Sequence, residues 1–152
     1  MRHALIAAVL ILAGAVLAHL HSEPQSYFPV VKISEPDGAS YTAVMDPRHE
    51  RPACGEASRQ FIEPVKAQCP QCQVVWARCE RELNGLELAV YLGEPVEHPV
   101  VSMQGLKVAI TADEATARAT CSFIAGDIVQ RSGQRASCIF PRSASASGGG
   151  TR

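Results

Sequence analysis

Six cysteines stand in this chain of 152 residues, and one pair of them, Cys69-Pro70-Gln71-Cys72, has the spacing of a unit that can do chemistry. Two thiols separated by two residues can cycle between dithiol and disulfide, or offer thiolates to a soft metal. Redox activity needs a cysteine whose thiolate is stabilised, usually at a helix N-terminus, where the helix dipole lowers the thiol pKa. This pair follows a helical pattern and enters a strand pattern, so the local field favours the protonated thiol. A structural bridge is the reading the spacing supports, with a redox pair at Cys69 and Cys72 as its alternative. A four-thiolate metal site from Cys54, Cys69, Cys72 and Cys79 ranks third, because there is no second close pair.

Other residues offer less. Trp76 and Arg78 fall on one face of a strand, where an aromatic ring beside a guanidinium suits a sugar- or peptide-binding patch, although core packing explains the Trp as well. His19 and His21 are two residues apart at the end of an apolar run and lack a third ligand nearby. His49 sits in the mixed-charge run DPRHER, which reads as a solvated loop. No nucleophile elbow, phosphate-binding loop, zinc-protease or dinucleotide glycine motif occurs. The sequence implies no cofactor and no metal.

The elements that position these residues follow from periodicity. Val30 to Ser34 and Ser40 to Met45 are β-rich and flank Glu35-Pro36-Asp37-Gly38, a turn composition, which predicts a hairpin. Ala57, Phe61 and Val65 recur at helical spacing over 56–66. Gln73 to Cys79 reads as a strand, 82–92 as a helix, Val100 to Met103 and Leu106 to Thr111 as strands joined at Gln104-Gly105. Thr111-x-x-Glu114 has the form of a capping box ahead of a long helix that ends near Gly133. Arg135 to Phe140 closes the series. From 73 to 140 the order is β-α-β-β-α-β. That order predicts an α+β fold, a ferredoxin-like split βαβ sandwich, with the N-terminal hairpin and first helix as additions outside the four-stranded unit. No internal repeat is visible.

Length and composition fit one domain: 47% hydrophobic, 19% charged, net charge −1. That balance excludes a nucleic-acid binder held by bulk charge. Residues 4–20 are an unbroken apolar run behind Arg2, an export signal whose length fits both a cleaved signal and a retained single-pass anchor. The divisions expected are 1–22 signal or anchor, 23–52 a Pro-rich segment carrying the hairpin, 53–141 a Cys-rich α+β domain, and 142–152 a disordered Ser/Gly-rich tail. The expected location is the periplasm, free or anchored in the inner membrane through residues 4–20, or the medium if the signal is cleaved. Six cysteines in a short exported chain imply disulfides.

Fifteen complete pairings are possible for six cysteines, and element lengths select among them. From Cys54 to the end of its helix is roughly 20 Å, and from Cys72 back to Cys79 along a strand about 23 Å. Antiparallel packing then brings Cys54 to Cys79 at one end and leaves Cys69 with Cys72 at the other. Cys121 lies about 15 Å before its helix end and Cys138 about 13 Å into the next strand, so those two are level.

The spacing C-x14-C-P-x-C-x6-C from Cys54, with the later Cys121 and Cys138, resembles uncharacterised small envelope proteins of bacteria, some of which accompany surface-polysaccharide synthesis. The resemblance implies an accessory role and no site residues. The function expected is a cell-envelope accessory or binding domain whose partner is an envelope protein or a glycan, with thiol-disulfide oxidoreductase as the alternative.

Overall fold

The computed structural model describes residues 25–141, so the apolar run 4–20, His19, His21 and the tail 142–152 lie outside the described residues. The order is β1 (Phe28–Ser34), β2 (Ser40–Met45), α1 (Arg51–Gln68), β3 (Gln73–Glu80), α2 (Gly85–Leu92), β4 (Val100–Met103), β5 (Leu106–Thr111), α3 (Glu114–Ser132) and β6 (Ala136–Ile139). The fold is α+β, as its composition of elements implied.

The six strands form one sheet in the order β3-β1-β2-β5-β4-β6, every neighbouring pair antiparallel. This order departs from the ferredoxin-like expectation. The hairpin β1-β2, expected outside the unit, lies between β3 and β5, and β3 and β6 occupy opposite edges of the sheet. The reason is burial: Val30, Val31, Val44 and Ala43 are each at most 1% exposed, and a hairpin apolar on both faces cannot remain an appendage.

Read from either edge the sheet repeats itself. The first half is β1-β2-α1-β3 in the spatial order β3-β1-β2, and the second is β4-β5-α3-β6 in the order β6-β4-β5. The two ββαβ units meet where β2 pairs with β5, from Ser40↔Thr111 to Met45↔Leu106. In each, the helix bridges two strands that are both antiparallel to the one between them.

Strand alternation sorts the core to two faces. On one, α1 sets Ala57, Phe61, Ile62 and Val65 against Val31, Ile33, Ala43 and Met45, while α3 sets Ala117, Cys121 and Ala125 against Val101 and Ile110. On the other, α2 is the one helix among the described residues, and it places Val90 and Tyr91 over Val30, Val44, Val100 and Ala109. A ferredoxin-like arrangement would put the second helix beside the third. Here α2 is instead the connector between the two units, and it crosses beneath the sheet. It is held there by Lys107 of β5, which donates to the Tyr91 carbonyl, and by the Tyr91 ring edge-on to Phe28 at 5.1 Å. Lys107 thus meets the C-terminal, negative end of the helix.

Three helix boundaries differ from the periodic reading. α2 begins at Gly85, after the N-cap Asn84, three residues later than 82. α1 begins five residues before 56, because Pro52 is harmless in a first turn that has no use for its missing N–H. α3 is capped by Asp113, which accepts from the Thr116 N–H at 3.0 Å, in place of the Thr111 capping box. Thr111 is still in β5, paired with Ser40, so its backbone is committed to the sheet.

Candidate functional site

All three cysteine pairs expected from leg lengths lie at bonding distance. Cys54 and Cys79 have Cα atoms 6.0 Å apart, Cys69 and Cys72 5.3 Å, Cys121 and Cys138 5.9 Å, and among the described residues no cysteine is free. The first and third tie α1 to β3 and α3 to β6, so each unit pins its helix to its edge strand. The second closes the turn between α1 and β3. Cys54 and Cys69 stand some 22 Å apart along α1, which prevents Cys54, Cys69, Cys72 and Cys79 from converging on one metal.

The Cys69–Cys72 turn is built locally. Cys69 is the C-cap of α1, its N–H donating to the Val65 carbonyl at 2.8 Å; Cys72 N–H then donates back to the Cys69 carbonyl at 3.0 Å. Pro70 supplies the fixed φ such a turn takes at its second position. Cys69 is half-buried, whereas Cys72 is 4% exposed and packs with Ile33 and Val74.

Beside this turn stands a carboxylate that sequence reasoning missed. Glu35 follows β1, and one of its oxygens lies with both cysteine sulfurs in a group whose atoms are all within 4.8 Å of one another. The β1–β3 register accounts for it. Lys32 pairs with Trp76 but Ile33 with Val74, so Val75 is an extra residue and the register shifts by one. Ser34 consequently pairs with Gln73, and the next step along brings Glu35 level with Cys72. Tyr41, on β2, donates its hydroxyl to Glu35 at 2.7 Å and holds the carboxylate in place. Burial first, then the Glu35 hydrogen bond and charge, push the Tyr41 phenol well above the usual tyrosine range. No short motif links Glu35, Tyr41 and the C-x-x-C. They are joined only by strand pairing.

Trp76 and Arg78 do share a strand face, and it is the α2 face. The Arg78 guanidinium lies 3.9 Å from the Trp76 ring centroid and pairs with Glu80 at 3.3 Å and with Glu87 of α2 at 3.1 Å. Trp76 is half-buried against the Val30 and Leu83 cluster. Two of the three guanidinium nitrogens have carboxylate partners within the chain, one of them on α2, so the pair acts as a strut between β3 and α2. His49 is exposed in the loop before α1, next to Arg48, whose backbone exchanges hydrogen bonds with Tyr27.

The opposite face of β3 carries a groove. β3 is an edge strand, so one side of its backbone has no strand partner among the described residues. Along that edge, Arg51, Gly55, Ser58 and Ile62 of α1 face Ala77, Arg78, Cys79 and Glu80 of β3 across an open groove of about 500 Å³. It continues past Arg51 and Cys79 to a second depression lined by Tyr27, Arg81 and Asn84. Gly55 and Ser58 keep the helix side low. A Cβ built at Gly55 would meet nothing within 4 Å. Arg59 is tied to Glu56 at 2.5 Å, whereas Arg51 forms no ion pair among the described residues.

Comparison with known proteins finds no family model, no curated protein and no solved structure that matches this chain. No helix among the described residues is long and apolar enough to cross a membrane.

Proposed function

We propose that this chain is an exported binding domain of the cell envelope, and that it takes an extended segment of a partner protein into the groove between α1 and the edge of β3. The observation that carries this reading is the groove itself: a strand edge without a partner among the described residues, with a helix alongside. An added strand gains main-chain hydrogen bonds from such an edge, and the flanking helix reads its side chains. Arg51, the cation on the helix side without an ion pair among the described residues, selects an acidic side chain or a terminal carboxylate. The three disulfides support an oxidising address. The resemblance to small envelope proteins supports an accessory role, with surface-polysaccharide assembly as its setting.

The alternative, a thiol-disulfide oxidoreductase working through Cys69 and Cys72, has electrostatics against it. Cys69 caps the negative end of α1, and the Glu35 carboxylate stands beside both sulfurs, so the thiolate that would start exchange is disfavoured twice.

The test is a displayed library of random peptides selected on the full purified chain. Extended peptides carrying an acidic residue are expected, with affinity at least ~10-fold weaker for Arg51→Glu, as loss of a charge-assisted contact implies. Gly55→Trp places an indole at the groove from a position where an added Cβ meets nothing within 4 Å, and should abolish binding while the melting temperature is kept. Binding that survives both substitutions would overturn the reading. So would a Cys69→Ser/Cys72→Ser variant that loses binding while Gly55→Trp keeps it.

A further inference from the structure

The electrostatics that disfavour a reactive thiolate at the α1–β3 turn favour a cation there. The last carbonyls of α1 present the negative end of the helix dipole to Cys69. Glu35 brings a carboxylate to both sulfurs, all within 4.8 Å of one another, and Tyr41 orients it from β2. Two sulfurs and one oxygen, at the end of β1, the end of α1 and the start of β3, one sulfur buried and the other half-buried, bring three ligand atoms together.

We propose that the reduced form of the Cys69/Cys72 pair, together with Glu35, is a binding site for a thiophilic divalent cation of the Zn2+ class, and that the disulfide is its closed state. A dithiol reductant gives up two electrons and two protons, becoming a disulfide itself while the Cys69–Cys72 bond opens to two thiols. The cation then displaces both thiol protons to the solvent and is held by two thiolates and the carboxylate, with water at the fourth position of a tetrahedron. Zn–S bonds of about 2.3 Å set the two sulfurs roughly 3.8 Å apart. The Cα separation of 5.3 Å allows that by side-chain rotation alone. The site is local to the turn and does not depend on the α1–β3 groove or its occupant.

The first and third disulfide-forming pairs do not enter into it: each joins a helix to an edge strand, whereas Cys69–Cys72 spans only the turn between them. Opening Cys69–Cys72 frees a separation of only 3 residues, so mild phosphine reduction of the full chain should open it first, as alkylation and peptide mapping would show.

Co2+ is the probe, because thiolate coordination gives it a near-ultraviolet charge-transfer band whose intensity counts the sulfurs. The reduced chain is expected to bind one Co2+ with a two-thiolate band that Zn2+ displaces, and the oxidised chain to show no such band. Glu35→Gln keeps an acceptor for Tyr41, so it leaves the turn in place and should weaken Co2+ at least ~10-fold, the scale on which even outer-sphere partners matter. A reduced chain with two free thiols at Cys69 and Cys72 and no band would overturn the proposal. Unchanged affinity in Glu35→Gln would overturn it equally. The oxidised-against-reduced comparison needs no variant, so a Cys69→Ser/Cys72→Ser chain that fails to fold does not blunt the test.

Discussion

The half of the sheet built from β1, β2, α1 and β3 and the half built from β4, β5, α3 and β6 each cross-link a helix to the edge strand that follows it. In both, the hairpin loop ends up beside the helix–strand turn, since Ser34 pairs with Gln73 in one and Met103 with Ala136 in the other. They differ in what stands at that meeting point. The second half stops α3 with Gly133 at φ +68, and its hairpin is the tight Gln104-Gly105 turn, with Gly105 at φ +76. Glycine takes those left-handed conformations without strain and brings no side chain. The first half stops α1 with a disulfide-closed turn, and its longer hairpin loop carries Glu35 to it. One backbone plan thus serves as plain scaffold in one place and as a ligand cluster in the other.

Removing the two matching disulfides is the strongest way to probe that comparison. Cys54–Cys79 closes 25 residues and Cys121–Cys138 closes 17. By unfolded-chain entropy they contribute about 3.5 and about 3 kcal/mol. Replacing either pair with Ala should lower the melting temperature by roughly 10–15 °C in calorimetry, the first pair slightly more. A difference of more than ~2 kcal/mol between them would mean that the two halves are not energetic equivalents. Cys69–Cys72 closes a separation of only 3, so the same relation assigns it about 1.5 kcal/mol. A loss as large as those of the long pairs would show that the turn carries structural weight beyond its chain entropy.

Smaller again is the Tyr41–Glu35 contact. Tyr41→Phe should cost about 1 kcal/mol in denaturant unfolding. Because the folded phenol's pKa is raised above its unfolded value of 10.0, the contribution is fully present below that pH and is lost as pH rises through the folded value. Stability of the wild-type chain should therefore fall in strongly alkaline solution, and Tyr41→Phe should flatten that fall. The smallest effect belongs to the second half. Hydrogen bonds from Thr116 hold the exposed Asp113 carboxyl below its usual range, so its capping contribution is present above pH ~4 and is lost as pH falls through the depressed folded value. Asp113→Ala should remove that acid sensitivity from α3, read by amide exchange along the helix.

Much of the local structure was legible without coordinates. Apolar spacing at Ala57, Phe61 and Val65 marks a helix because 3.6 residues per turn puts them on one side. The cysteine pairs followed from rise per residue alone, since a helix leg and a strand leg of equal length must end level. Trp76 and Arg78 share a face because strands alternate. The sheet order was not legible, and the duplication with it. β-strands ask only for apolar residues at every second position, so β1 and β4, or β2 and β5, match in role with no need to match in residue identity.

Residue types and short spacings by themselves determined the elements, their caps to within a few residues, and the level at which each cysteine meets its partner, because those are local consequences of fixed backbone geometry. Tertiary structure decided which strands are neighbours: it put the β1-β2 hairpin in the middle of the sheet, α2 on the face opposite α1 and α3, and, through one extra residue at Val75, Glu35 level with Cys72. Pairing between strands far apart in sequence depends on how all the apolar faces can be covered at once, and no single segment contains that information.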